Sequence, residues 1–154
     1  MMKLMKLLFL ASWVLLLVLS VGIAFVSLGS LGVAFSGAQD NLTPTATMEQ
    51  INTLGGEDAV KAFRGRRATA ATSALGGAFL AMFVVLVPYR RGERWAWWAL
   101  LVSLGLSQLA SLARAVLIGT TAGTATPAVV LAFLFLGLLA GTPRMFGGKG
   151  APPL

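Results

Sequence analysis

Charged residues in this chain fall almost entirely between four long apolar stretches, at residues 7–36, 68–88, 95–118 and 122–142. A helix crossing a hydrocarbon core of roughly 30 Å needs about 20 predominantly apolar residues. Each stretch meets that length, the third with Arg114 as an interruption and the fourth only if it begins near Ala122. The pattern predicts an all-α fold, an integral membrane four-helix bundle. A short extramembrane helical loop, 37–67, would join helices 1 and 2, and an irregular tail would cover 143–154.

Composition supports this. Only 11% of the residues are charged, against 57% hydrophobic, whereas ordinary soluble domains carry about 25% charged residues. The 154 residues leave little mass outside the membrane, so a single transmembrane domain is expected. Cysteine and histidine are absent, which excludes disulfides, thiolate or imidazole metal sites, His-ligated haem and Cys or His nucleophile systems. No Asp or Glu lies inside an apolar stretch, and ion-coupled carriers generally hold their ion on an intramembrane carboxylate or histidine. An enzyme is therefore not expected, and neither a metal nor a cofactor is implied.

The net charge of +7 would suggest nucleic acid in a soluble protein. Here the basic residues cluster at the ends of apolar stretches, so the membrane reading takes precedence and no nucleic-acid partner is expected. Lys3, Lys6, Arg90, Arg91, Arg94, Arg144 and Lys149 share one side with the lone acid Glu93. On the other side Lys61, Arg64, Arg66 and Arg67 are balanced by Asp40, Glu49, Glu57 and Asp58. Excess Lys and Arg mark the cytoplasmic side, so both termini should be cytoplasmic in a multi-pass inner-membrane protein.

The first stretch has a basic start like a secretory signal. Its apolar run is about twice the roughly 7–15 residues of a signal core, so an uncleaved helix is expected. Leu7 to Phe35 would span about 43 Å as a helix, long enough to require tilt, and Gly29, Gly32 and Gly37 mark where it should loosen. In the polar segment, Thr47 and Gln50 fit a capping box. A short helix from Met48 to Leu54 should end at Gly55-Gly56. Glu57 and Asp58 suit the first turn of another helix, with Glu57 and Lys61 paired four residues apart. That piece should lie along the outer surface, and the Asn41–Thr43 triplet is a glycosylation acceptor only in a eukaryotic host.

In the second helix, Ala70, Ala74 and Ala78 form one line and Ser73, Gly77 and Ala81 another. Two small-residue faces suit an interior helix of a bundle. The short 89–95 turn implies an antiparallel hairpin. Trp95, Trp97 and Trp98, with Arg90, Arg91 and Arg94, are expected interface anchors. Thr126-Pro127 reads as a helix start, and Gly137 with Gly141 as a close-contact face.

The main polar constellation is on helix 3, where Ser103, Ser107 and Ser111 recur every four residues, with Gln108 adjacent and Arg114 beyond. Arg114, Ser111, Gln108 and Ser107 could contact a ligand or partner, such as a carboxylate, a phosphate or a quinone carbonyl. The competing reading is packing and anchoring. Arg114 lies about 28 Å along the axis from Trp95, near the opposite interface, where arginine snorkels. Glu49, Glu57 and Asp58 read as helix-start charges. Arg64, Arg66 and Arg67 read as a solvated helix end that could also meet anionic headgroups.

The stretch YRRGERWAWWALL, residues 89–101, together with AFRGRR, residues 62–67, resembles small four-helix bacterial inner-membrane proteins of unknown function. The resemblance implies a prokaryotic inner membrane and no particular activity. The expected role is a small accessory or structural subunit of a larger membrane protein complex, with membrane lipids and other membrane subunits as partners. The alternative is a binder or carrier of a lipid, quinone or carotenoid, using the polar face of helix 3.

Overall fold

The computed structural model describes residues 2–36, 48–119 and 124–146. Among these the chain is helical apart from short turns and has no strand. Helix α1 is Met2–Ser36, and α2 is Met48–Val84, continued by a wider π-helical turn, Val85–Tyr89. Helix α3, Arg94–Leu100, runs through a second π-helical turn, Leu101–Gly105, into α4, Leu106–Ile118, and α5 is Ala125–Phe146. Four stretches, Lys6–Ser36, Glu49–Tyr89, Arg94–Leu117 and Ala125–Phe146, are long and apolar enough to cross a membrane. The Asn41–Thr43 triplet, Thr47, Ala122 and the tail beyond Phe146 lie outside the described residues.

Several boundaries differ from the expectation. Helix α1 runs unbroken through Gly29 and Gly32 to Ser36. Apolar surroundings offer a backbone no competing hydrogen-bond partner, so glycine weakens a helix less there than in water. The break at Gly55-Gly56 is present as a kink, with Gly56 at φ 70° and ψ −173°, a conformation open to glycine alone. From Glu57 the helix resumes, and Lys61 pairs with Glu57 at 2.9 Å. Residues 57–67 are helical and lead without a further break into the second long apolar helix. Ala59, Lys61, Ala62, Arg64, Arg66 and Arg67 are strong helix formers, and no proline interrupts them.

Pro88 explains the first π-helical turn. Its ring cannot donate and collides with the carbonyl four residues back, so the helix widens. The Arg90 amide reaches Val85 O at 3.2 Å and the Glu93 amide reaches Pro88 O at 3.0 Å. The expected short turn follows, with Gly92 at φ 81°, and α3 begins at Arg94. Gly119, at φ 73°, closes α4 as a left-handed cap. Helix α5 starts at Ala125, its first backbone bond running from the Ala128 amide to Thr124 O at 3.3 Å. The expected cap at Thr126 therefore shifts two residues, and Pro127 stays in the first turn, where its missing N–H costs nothing. The helix also continues past 142 to Phe146 despite Pro143, because side chains of α3 hold its last turns, as described below.

The chain forms two compact units. One contains Met1–Val21 and Phe79–Leu154; the other is Gly22–Ala78. In the first unit the core is Phe9, Leu16, Val85, Tyr89, Leu100, Leu134 and Leu138, all fully buried. Gly137 and Gly141 of α5 admit this packing. A Cβ at Gly137 would lie 2.8 Å from Leu16 Cδ2, and one at Gly141 would overlap the Tyr89 hydroxyl and lie 2.7 Å from Ser12 Oγ. The close-contact face expected there is present. Of the two small-residue lines expected on α2, Ala78 and Ala81 are buried, as is Ala71 beside them, while Ala70, Ser73, Ala74 and Gly77 are exposed among the described residues. Gly22 and Gly29 of α1 likewise face open space.

Large apolar side chains cover the outside, with Phe25 72%, Phe35 70%, Val18 62% and Phe83 61% exposed. A helix apolar all round suits a membrane span or the core of a larger assembly. Gly141→Ala should destabilise the detergent-solubilised protein by about 1–3 kcal/mol through overpacking. Gly29→Ala should leave it unchanged or slightly more stable. Thermal unfolding of the two variants checks both.

Candidate functional site

Helix α1 presents Phe9, Ser12, Trp13 and Leu16 to the end of α2 and to α5, and a polar arrangement forms there that sequence periodicity does not show. Ser12 Oγ donates to Gly137 O at 2.7 Å and lies 2.6 Å from the Tyr89 hydroxyl. With the serine proton committed to the carbonyl, Tyr89 is the donor to Ser12. The result is a chain from Tyr89 O–H through Ser12 O–H to the Gly137 carbonyl. All three members are buried, so in these apolar surroundings each requires the other. Ser20 and Ser27, also buried on α1, donate to their own helix, at Leu16 O and Ile23 O.

Aromatic rings and arginines surround this chain. Phe9 stacks on Tyr89 with ring centroids 5.7 Å apart. The Arg144 guanidinium carbon lies 4.0 Å from the Phe9 centroid, that of Arg90 lies 5.1 Å from Trp13, and that of Arg94 lies 5.9 Å from Phe146. Arg94 Nε also donates to Met145 O at 2.9 Å, and Trp97 Nε1 donates to Leu138 O at 3.0 Å. These two bonds hold the last turns of α5 around Pro143. Trp97 packs edge-on against Trp98 and Phe146, while Trp95 and Trp98 are exposed. Among the expected anchors, then, Arg90, Arg94 and Trp97 make defined contacts inside this unit, and Arg91 is exposed. Glu93, the only acid nearby in sequence, accepts from Trp95 Nε1 at 2.5 Å. Among the described residues none of Arg90, Arg91, Arg94 and Arg144 has a carboxylate partner.

The second unit uses its arginines differently. Arg64 donates from Nε to Ala34 O and from Nη2 to Phe35 O, both at 2.9 Å, and Arg67 Nε donates to Ser30 Oγ at 3.1 Å. Arg64 thus satisfies two of the carbonyls that a helix end leaves open and puts a positive charge at the negative end of the α1 dipole. Of the three arginines read as a solvated helix end, Arg66 is exposed, and Arg64 and Arg67 are half-buried.

The helix-3 stripe expected as a contact face lies on the second π-helical turn and on α4. Ser103, Ser107 and Arg114 are exposed, and Gln108 and Ser111 are half-buried. Ser103 Oγ donates to Ala99 O, Ser107 Oγ to Leu104 O and Ser111 Oγ to Ser107 O, at 2.6, 2.8 and 2.9 Å. Gln108 Nε2 reaches Ser107 Oγ at 3.3 Å. The three hydroxyl protons are therefore spent on their own helix. Among the described residues no group of three or more acids could hold a metal ion.

Among the described residues this is an all-helical chain with four helices long and apolar enough to cross a membrane, and its polar side chains bond partly within their own helices and partly across to others. Comparison with protein-family models, with curated proteins and with solved structures finds no match to it.

Arg64→Ala should cost about 2 kcal/mol, the scale of a hydrogen bond to a charged group plus a helix-end charge. Hydrogen exchange should show the last turn of α1 fraying, with no change around Tyr89. Ser12→Ala should cost about 1 kcal/mol in thermal unfolding, since polar contacts between membrane helices average near 0.6 and reach about 1.7.

Proposed function

We propose that this chain is a non-catalytic integral membrane protein acting as a small accessory subunit of a larger membrane complex. Its four helices form a bundle in a bacterial inner membrane, with both termini cytoplasmic. One observation carries the reading. The face of α2 formed by Ala70, Ser73, Ala74 and Gly77 is exposed, and the space beside Gly76 and Gly77 is open. Small residues of this kind let a second helix approach closely in lipid, where packing rather than the hydrophobic effect drives association. Loss of side-chain bulk on a lipid-facing surface brings no other evident gain. The orientation rests on charge, with seven basic residues and one acid on one side against four and four on the other.

The alternative, a lipid, quinone or carotenoid carrier built on Arg114, Ser111, Gln108 and Ser107, draws less support, because the serine donors there are already used within the helix. The test is gentle detergent extraction from the native membrane, native-size separation and mass spectrometry of what comigrates. Stoichiometric comigration with other membrane proteins is expected, and Gly77→Leu should abolish it while the isolated chain keeps its helical content and unfolding temperature. Migration of the unaltered chain as a small species with only lipid attached would overturn the proposal.

A further inference from the structure

Arg90 and Arg144 reach α1 from the turn after α2 and from the end of α5, and they settle on rings one helical turn apart. Phe9 and Trp13 are four residues apart, so they share a face of α1 about 6 Å from each other along its axis. Both guanidiniums are placed over these rings, and Arg144 also approaches the turn itself, its Nε lying 3.8 Å from where a Cβ on Gly92 would stand. The two cations are thus held as neighbours, with Arg91 and Arg94 on the same short segment and without a carboxylate partner among the described residues. Beneath Arg90, the Trp13 indole nitrogen is buried and has no hydrogen-bond acceptor among the described residues. A buried N–H without an acceptor is costly, and this one belongs to the ring that Arg90 covers. Leu7, Leu10, Val14 and Val18 continue along α1 as an exposed apolar stripe, 64%, 49%, 41% and 62% accessible.

The geometry points to a binding site for the phosphate of an anionic phospholipid, formed by Arg90, Arg144 and the Trp13 N–H, with an acyl chain along Leu7, Leu10, Val14 and Val18. A phosphodiester carries one negative charge and several acceptor oxygens, which matches two guanidiniums and an indole donor. Arginine suits the role better than lysine, because its planar fork can stack on a ring and still present its edge to phosphate. Both side chains are already ordered by their rings, so little further freedom is lost on binding. The lipid source follows from the apolar stripe, which a free phosphate has no use for.

The site is tested on the full chain purified in neutral detergent, by thermal unfolding and native mass spectrometry with added phosphatidylglycerol, phosphatidylcholine or inorganic phosphate. Phosphatidylglycerol should raise Tm and stay bound, phosphatidylcholine should do so at least about tenfold more weakly, and inorganic phosphate at equal concentration should have no effect. Arg90→Gln should remove about tenfold of the preference for the anionic lipid. Trp13→Phe, which keeps the ring and loses the donor, should remove a smaller part. Arg66→Gln, in the other unit, should leave the preference intact. Arg144→Gln adds to the test only if it folds, since Arg144 covers the buried Phe9; Arg90→Gln and Trp13→Phe serve otherwise. Equal response to the two lipids, retention of the preference in Arg90→Gln and Trp13→Phe, or stabilisation by inorganic phosphate alone would each overturn the proposal. So would copurification of an acidic protein in place of lipid, lost in the same variants.

Discussion

The packing of the first unit depends on two missing side chains. Gly137 and Gly141 let Leu16, Ser12 and Tyr89 come against the backbone of α5, and the hydroxyl chain forms only because of that approach. The energies separate the two contributions. Polar contacts between helices in a membrane are worth about 0.6 kcal/mol on average, whereas overpacking a tight contact costs about 1–3 kcal/mol. Glycine and the dispersion contacts it admits therefore set how near α1 and α5 come. The chain from Tyr89 through Ser12 to Gly137 O then selects the register, since sliding by one residue would leave buried hydroxyls without partners.

Helix ends impose the second constraint. A long helix still leaves carbonyls open at its C-terminus, and in apolar surroundings water does not serve them. Arg64 closes the end of α1 at Ala34 and Phe35, Arg94 serves Met145 at the end of α5, and Trp97 braces the same helix two turns earlier at Leu138 O. Two of these three donors are charged, which both strengthens the bond and meets the negative dipole end. Residues 57–67 are helical, and that helix presents Arg64 and Arg67 to the end of α1. Helix α5 outlasts Pro143 because its last carbonyls have side-chain partners.

The four long helices, the short turn after Tyr89, the break at Gly56 and the Gly137–Gly141 contact were all legible in the sequence, because length, glycine placement and charge position are local signals. The Ser12–Tyr89–Gly137 chain was not. Its members are 77 and 125 residues apart, and a serine in an apolar run looks the same whether it bonds across to another helix or back to its own. The Ser103, Ser107 and Ser111 series stood out because its spacing repeats within one helix, yet each of those hydroxyls turns back to its own backbone. Periodicity reports which residues share a face; it does not report whether another helix arrives there. For the same reason α2 looked two-sided, although Ala70, Ser73, Ala74 and Gly77 are exposed among the described residues.

Cations in this protein fall into two physical classes. Lys61 is paired with Glu57 in an exposed i,i+4 arrangement, with side chains 64% and 80% accessible, and such pairs contribute little, about 0.3–0.5 kcal/mol. Arg90, Arg94 and Arg144 instead sit over aromatic rings, an attraction of about 0.5–1 kcal/mol at exposed sites that does not consume the positive charge. An ion pair neutralises a cation, whereas a ring orients it and leaves its field to act outward. Three oriented arginines with no carboxylate partner among the described residues concentrate positive potential at one end of the first unit. That is the end where the turn after Tyr89 and the last turn of α5 come together.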